Sequence, residues 1–136
     1  QEIRKAGITV LRDETLTLNN ELVLIGRNDN LAHDRPSTET LLKQVDTNLP
    51  TILLDHRPTD IEKHASLPLD IQVSGHAHKG QIFPASIITK MMYRLDYGYE
   101  KIGNPHVFVT SGYGFWGIPM RLGSQSEVVI IDVKGK

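Results

Sequence analysis

The sequence contains no cysteine, which excludes a disulfide framework, a thiolate zinc site and a cysteine nucleophile together. It also lacks an excess of charge of either sign. Fifteen Lys and Arg stand against sixteen Asp and Glu, for a formal charge of −1, so no global positive excess drives binding to nucleic acid or to anionic lipid. Long apolar runs are missing too. The longest aliphatic stretches, such as Val128–Ile131, are four residues, where a bilayer-spanning helix needs about 20. No secretory leader pattern is visible, and the chain begins at Gln1 rather than Met, as an excised piece or a processed product does. What is present is ordinary for one globular domain: 136 residues, 39% apolar and 23% charged, enough to bury a core without staples. There is no internal repeat and no low-complexity segment.

The apolar pattern predicts an α/β fold. Gln1–Ala6 reads as the tail of a helix stopped by Gly7. Ile8–Leu11, Leu16–Asn19 and Glu21–Gly26 read as strands of an opening meander, the last a continuous apolar run expected to be covered on both faces. A polar loop over Gly26–Pro36 leads to a helix capped by Ser37 or Thr38 and running to about Thr47. Thr51–Asp55, a short helix over Thr59–Ala65 and Asp70–Ser74 complete a β-α-β-α-β alternation, which implies a mostly parallel sheet at this point. Beyond it come a helix over Ser86–Leu95, a Tyr- and Gly-rich stretch from Tyr97 to Pro105 and a strand over His106–Thr110. An irregular loop over Ser111–Arg121 and a final strand over Glu127–Val133 end the chain.

Three of the six histidines sit at strand ends: His56, His76 and His78. In extended backbone, side chains at i and i+2 point the same way, so His76 and His78 can share a site. His56 ends the preceding strand, one crossover away, and carboxyl ends of adjacent parallel strands form the usual ligand crevice of open α/β sheets. Neutral imidazole is the commonest side-chain metal ligand, so the trio is a candidate metal site. His33, His64 and His106 read as structural or solvent-facing. Other His-x-His chemistries fail on particular residues. A cupin needs a glutamate soon after the second His, yet no acid follows His78 until Asp96. A metallo-β-lactamase needs Asp where Gly80 stands, and an amidohydrolase barrel needs about 250 residues.

The motifs as they stand resemble those of the calcineurin-like metallophosphoesterases. Ile52–Pro58 (ILLDHRP) resembles their strand-His-x-Pro motif, and Ser74–His78 with Gly80-Gln81 resembles their SGHxHxGQ motif. Tyr97-Gly98-Tyr99, Ser111–Arg121 and Gly123-Ser124 resemble the C-terminal portion of a bacterial, often membrane-anchored branch. Lys79 departs from that branch, which usually carries Gly there; such a cation can touch a phosphate, although solvation is the commoner fate.

The resemblance implies the C-terminal half of an α/β/β/α sandwich with a mixed sheet, spanning residues 1–136 as part of a metallophosphoesterase domain. It implies a hydrolase of phosphoester or pyrophosphate bonds, in which two divalent ions (Mn, Fe, Zn or similar) about 3.5–4 Å apart activate a hydroxide for in-line attack. His56 and His76 would ligate one ion and His78 the other. The family's Asp-x-His, Gly-Asp and Gly-Asn-His motifs are absent from this chain, and three neutral imidazoles offer no anionic bridge between two dications. The expectation is a chain that holds no ion or one and is inactive alone, with no catalytic residue of its own assigned. The expected partners are a phosphorylated substrate, a lipid-linked one fitting the branch, the missing N-terminal half and a second copy of the chain, with no nucleic acid. A membrane-associated bacterial parent fits the branch. A non-enzymatic module that binds one metal or self-associates is the competing reading. The aromatic loop Tyr113–Trp116 with Arg121 could line a substrate pocket, although packing over a core is the commoner role of such loops. Asp34 reads as part of a solvated loop.

Overall fold

The computed structural model describes residues 2–134. Glu2–Lys5 forms helix α1, and Gly7, at φ 79°, turns the chain after it. Strands β1 (Glu14–Leu18) and β2 (Leu22–Gly26) form an antiparallel hairpin. Its turn is made by Asn19 and Asn20, both at positive φ, a conformation that Asn tolerates better than most residues. Ser37 caps helix α2 (Thr38–Leu42) by accepting from the Thr40 N–H. The helix is half as long as the apolar spacing suggests, because Gln44 and Val45 bond three residues back, to Leu41 and Leu42, and tighten the chain into turns.

Strand β3 (Thr51–Leu54), helix α3 (Ile61–His64) and strand β4 (Ile71–Ser74) make the expected crossover. A 3-10 turn (His78–Gly80), helix α4 (Ala85–Met92) and strands β5 (Gly98–Lys101) and β6 (His106–Val109) follow. The six strands form one mixed sheet in the order β1-β2-β3-β4-β6-β5, with β2, β3, β4 and β6 mutually parallel and the two edge strands antiparallel. The chain is an α/β fold, as the alternation of elements predicts.

One face of the sheet carries the core. Val23 and Ile25 of β2, Leu53 of β3 and Val107 and Val109 of β6 are buried there beneath Leu41 and Leu42 of α2 and Ile61 of α3. The opposite face is apolar but not covered. Leu24, Ile52, Val73 and Phe108 are half-buried and Leu54 is exposed, so among the described residues the apolar run of β2 is enclosed on one side only. Two expected strands are absent. Ile8–Leu11 and Glu127–Val133 join no ladder among the described residues. Val128 and Ile130 are exposed, Ile130 to 90%: the strand composition is there, but a strand forms only against a partner that supplies its hydrogen bonds. Conversely, β5 forms from the Tyr- and Gly-rich stretch because β6 pairs with it.

Candidate metal centre

The parallel register of β3 and β4 sets Leu54 beside Val73, so both chains leave the sheet at the same end. Pro58, which has no N–H to donate, follows within four residues of the end of β3 and discourages further pairing. The Gly75 N–H donates to the His56 carbonyl at 3.0 Å and ties the two exits together. As a result His56 Nε2 lies 3.0 Å from His76 Nδ1, with the rings edge to face at 4.9 Å between centroids.

His78 does not complete the cluster. The segment after β4 is not extended: His76, His78, Lys79 and Gln81 all adopt positive φ, and Ala77 is helical. That run of left-handed residues breaks the i, i+2 relation on which convergence depends. Such strain in non-glycine residues persists only where surrounding structure imposes it. Gly80, at φ 73°, is indispensable in the turn, since a Cβ there would lie 2.2 Å from the Ser86 nitrogen. His78 instead turns its Nδ1 towards the Arg121 guanidinium, 3.5 Å away. Among the described residues no three His, Cys, Asp or Glu side chains are grouped closely enough to hold one ion.

The surroundings of His76 and His78 disfavour their charged forms. Burial, then the Arg57 guanidinium and the His56 ring, hold His76 below the usual imidazole range. Burial and then Arg121 do the same for His78. Neutral imidazole is the form that binds metal. The donor set fits an ion in part. The two nitrogens share a hydrogen bond at 3.0 Å, so an ion held by both rings would replace that bond and its proton.

Several groups around the pair were not singled out from the sequence. Arg57 donates to Asp29 at 3.1 Å, bringing an ion pair from the loop after β2 to the histidines. The Asp29 carboxyl is held below its ordinary range by the Leu31 N–H first and by Arg57 second. Asp55, directly before His56, forms a buried ion pair with Arg35, while Asp55 Oδ1 and Arg35 Nε remain without partners. The signal was present in the letters DHR, where both neighbours of His56 are charged. Of the other histidines, His33 is exposed, His106 accepts or donates a bond to the Tyr99 hydroxyl at 2.9 Å, and His64 is buried.

The motif residue Gln81 has a scaffold role. Its side-chain amide donates to the Trp116 and Ile118 carbonyls at 2.8 and 3.1 Å and accepts from the Trp116 N–H at 2.7 Å. Arg121 donates to the carbonyls of Ser111, Gly112 and Gly114. These contacts fix the backbone of the aromatic loop, but its side chains do not pack over a core: Tyr113, Phe115 and Trp116 are exposed. Asp34 is exposed in its loop, as expected. Lys79 sits 4.2 Å above the Tyr97 ring rather than free in solvent. It borders a cavity of about 420 Å³ that Ser111, Ser124 and Glu127 also line.

Comparison with known proteins decides the family. The chain is 39% identical, over 98% of its length, to an uncharacterized metallophosphoesterase of Aquifex aeolicus. It is 37% identical, over 95% of its length, to one of Helicobacter pylori. The chain belongs to the metallophosphoesterase family. A transmembrane protein with a metallophosphoesterase domain from Danio rerio matches 71% of the chain at 37% identity, with 23% of that protein covered. The chain spans 54% of the Aquifex protein and 36% of the Helicobacter one. No family model and no solved structure matches the chain. Metallophosphoesterases as a family imply phosphoric ester hydrolysis and divalent metals. No helix among the described residues is long and apolar enough to cross a membrane.

Proposed function

We propose that this chain is the C-terminal part of a metallophosphoesterase domain and contributes histidine donors to a dinuclear centre that hydrolyses phosphoester or pyrophosphate bonds. One observation carries this reading: His56 and His76 meet at 3.0 Å at the carboxyl ends of adjacent parallel strands, within motifs that match metallophosphoesterases. On this reading His56 and His76 serve one ion and His78 the other. His78 must then turn away from Arg121 when the remaining ligands, which lie outside this chain, are in place. When bound, the divalent ions neutralise charge on phosphoryl oxygens and acidify the attacking water. Around His76 and His78, burial and the Arg57 and Arg121 guanidiniums disfavour the charged ring, while Arg57 is itself paired with Asp29.

The uncovered apolar sheet face and the Glu127–Val133 run, which joins no ladder among the described residues, support a missing half-domain that would cover them, or a second copy that does so in its absence. Alone, the chain lacks an anionic bridge for two dications and is inactive. A bacterial, membrane-associated parent acting on a lipid-linked phosphate belongs to the same proposal. The absence of a three-residue donor group among the described residues favours one competing reading, a module that binds a single ion weakly and hydrolyses nothing. Turnover of bis(4-nitrophenyl) phosphate with Mn²⁺ separates the two. We expect none from the 136-residue chain. We expect turnover from a longer polypeptide carrying the missing motifs, abolished by His76→Ala. No turnover from that longer polypeptide, or turnover indifferent to His76→Ala, would contradict the proposal.

A further inference from the structure

Both chain neighbours of His56 are charged, and both are paired to a single loop. Asp55 pairs with Arg35, and Arg57 Nε donates to Asp29 Oδ2 at 3.1 Å. Arg35 and Asp29 lie 20 and 28 residues back from their partners, in the segment between β2 and α2.

That loop is held in shape before it reaches the histidine. Its stem prolongs the sheet, with the Arg27 N–H donating to the Leu54 carbonyl at 2.9 Å. The Asn28 N–H donates to Asp13 Oδ1 at 3.1 Å. The Arg27 guanidinium reaches forward to the Pro36 carbonyl at 2.6 Å and to the Thr38 hydroxyl, closing the loop on its own far end. Inside it, Asp29 Oδ1 accepts from the Leu31 N–H at 2.9 Å, and the Asp29 carbonyl accepts from the Ala32 N–H at 3.0 Å. The carboxylate is thus oriented by backbone and presents its other oxygen to Arg57.

Neither pair is explained by stability. Arg57 and Asp29 are 23% and 40% exposed, and ion pairs open to solvent add little. Arg35 and Asp55 desolvate two charges for one bond, with Asp55 Oδ1 and Arg35 Nε left over, and apolar residues serve stability as well in such places. What the two pairs share is His56. Its ring is exposed, and its carbonyl is tied on the β4 side by Gly75. His76, by contrast, is set by its own turn at φ 66°. With Asp55 and Arg57 both anchored, the backbone cannot rotate at His56 without breaking one pair or the other.

We infer that the 26–36 loop is the positioning element of the centre: Asp29 and Arg35 aim the His56 ring at His76, acting through Arg57 and Asp55. Asp29 is not grouped with the two rings closely enough to be a third ligand. The purpose of this aiming rests on the metal-centre reading, but the geometry itself is readable without an ion.

The test is NMR of the metal-free 136-residue chain, reading the nuclear Overhauser contact between the His56 and His76 rings, whose centroids lie 4.9 Å apart. We expect Asp29→Asn to lose most of that contact at an unchanged melting temperature. Arg35→Met with Asp55→Leu, which keeps the buried volume filled, should lose it too while remaining folded. Glu100→Gln, which breaks the Arg94 pair away from the histidines, should leave it intact. No contact in the parent chain, an intact contact in folded Asp29→Asn, or equal loss in Glu100→Gln would overturn the inference. In the longer polypeptide carrying the missing motifs, Asp29→Asn should raise the Mn²⁺ needed for half-maximal turnover of bis(4-nitrophenyl) phosphate on the order of tenfold. A lost ring contact with an unchanged Mn²⁺ requirement would uphold the positioning and contradict the metal-centre reading.

Discussion

His64 Nδ1 lies 2.9 Å from the Gln72 side-chain carbonyl, and the bond fixes the direction of a buried polar chain. Gln72 Nε2 donates to the Ser74 hydroxyl at 3.3 Å, so its oxygen must accept, and the His64 proton sits on Nδ1. His64 Nε2 then accepts from Thr38 at 2.8 Å, and Thr38 accepts from Arg27. A buried ring committed to this tautomer is a neutral ring. Burial holds its pKa below the ordinary 6.5, more than Gln72 and Asp60 restore. In acid the unfolded chain therefore binds a proton at His64 that the folded chain refuses.

We expect this term to cost nothing above pH 6.5 and to erode stability as pH falls from there to the lower folded pKa. Urea midpoints measured across that range should decline. His64→Gln should be less stable at neutral pH by about 1–3 kcal/mol, through lost partners for Thr38 and Gln72, and should decline less steeply. An identical slope would show that His64 does not carry it.

Arg35 and Asp55 should be worth less together than either is worth to the other. Both side chains are almost fully buried, so Arg35→Met leaves a buried carboxylate unpaired and should cost about 3–5 kcal/mol. Arg35→Met with Asp55→Leu should recover most of that loss. Denaturant titration of these two variants, of Asp55→Leu alone and of the parent chain closes the cycle.

Gly80→Ala should distort the turn that carries His78. The new Cβ would meet the Ser86 backbone at 2.2 Å, and φ is 73°, so neither space nor conformation is available. We expect a loss of more than about 1–3 kcal/mol, read as a lowered melting temperature. A neutral outcome would contradict the placement of α4 against the turn.

Gln81→Ala removes three hydrogen bonds to the aromatic loop. Stability should fall by about 1–3 kcal/mol, and Trp116 fluorescence anisotropy should drop as the loop loosens. Unchanged anisotropy would mean that Arg121 alone holds the loop.

The frame of the fold was legible because β2 and β3 are aliphatic runs and β4 alternates apolar with polar, each bounded by turn residues, and because Ser37 sits where a cap is needed. The nearness of His56 and His76 followed from that frame, since parallel neighbours end side by side. His78 did not follow. Its direction depends on four left-handed residues that extended-strand spacing does not anticipate. Strand β5, GYEK, has little strand composition and exists because β6 offers it hydrogen bonds; Glu127–Val133 has the composition and finds no ladder among the described residues. Periodicity revealed α4 as a helix, but it cannot tell which side of a helix faces the protein.

The most direct test of the metal reading is calorimetric titration of the 136-residue chain with Zn²⁺ and Mn²⁺ near neutral pH, alongside His56→Ala, His76→Ala and His78→Ala. We expect at most one weakly held ion, lost in the first two variants and nearly unaffected in the third, because only His56 and His76 meet. Binding that survives the loss of both His56 and His76 would place the ion elsewhere and contradict the reading.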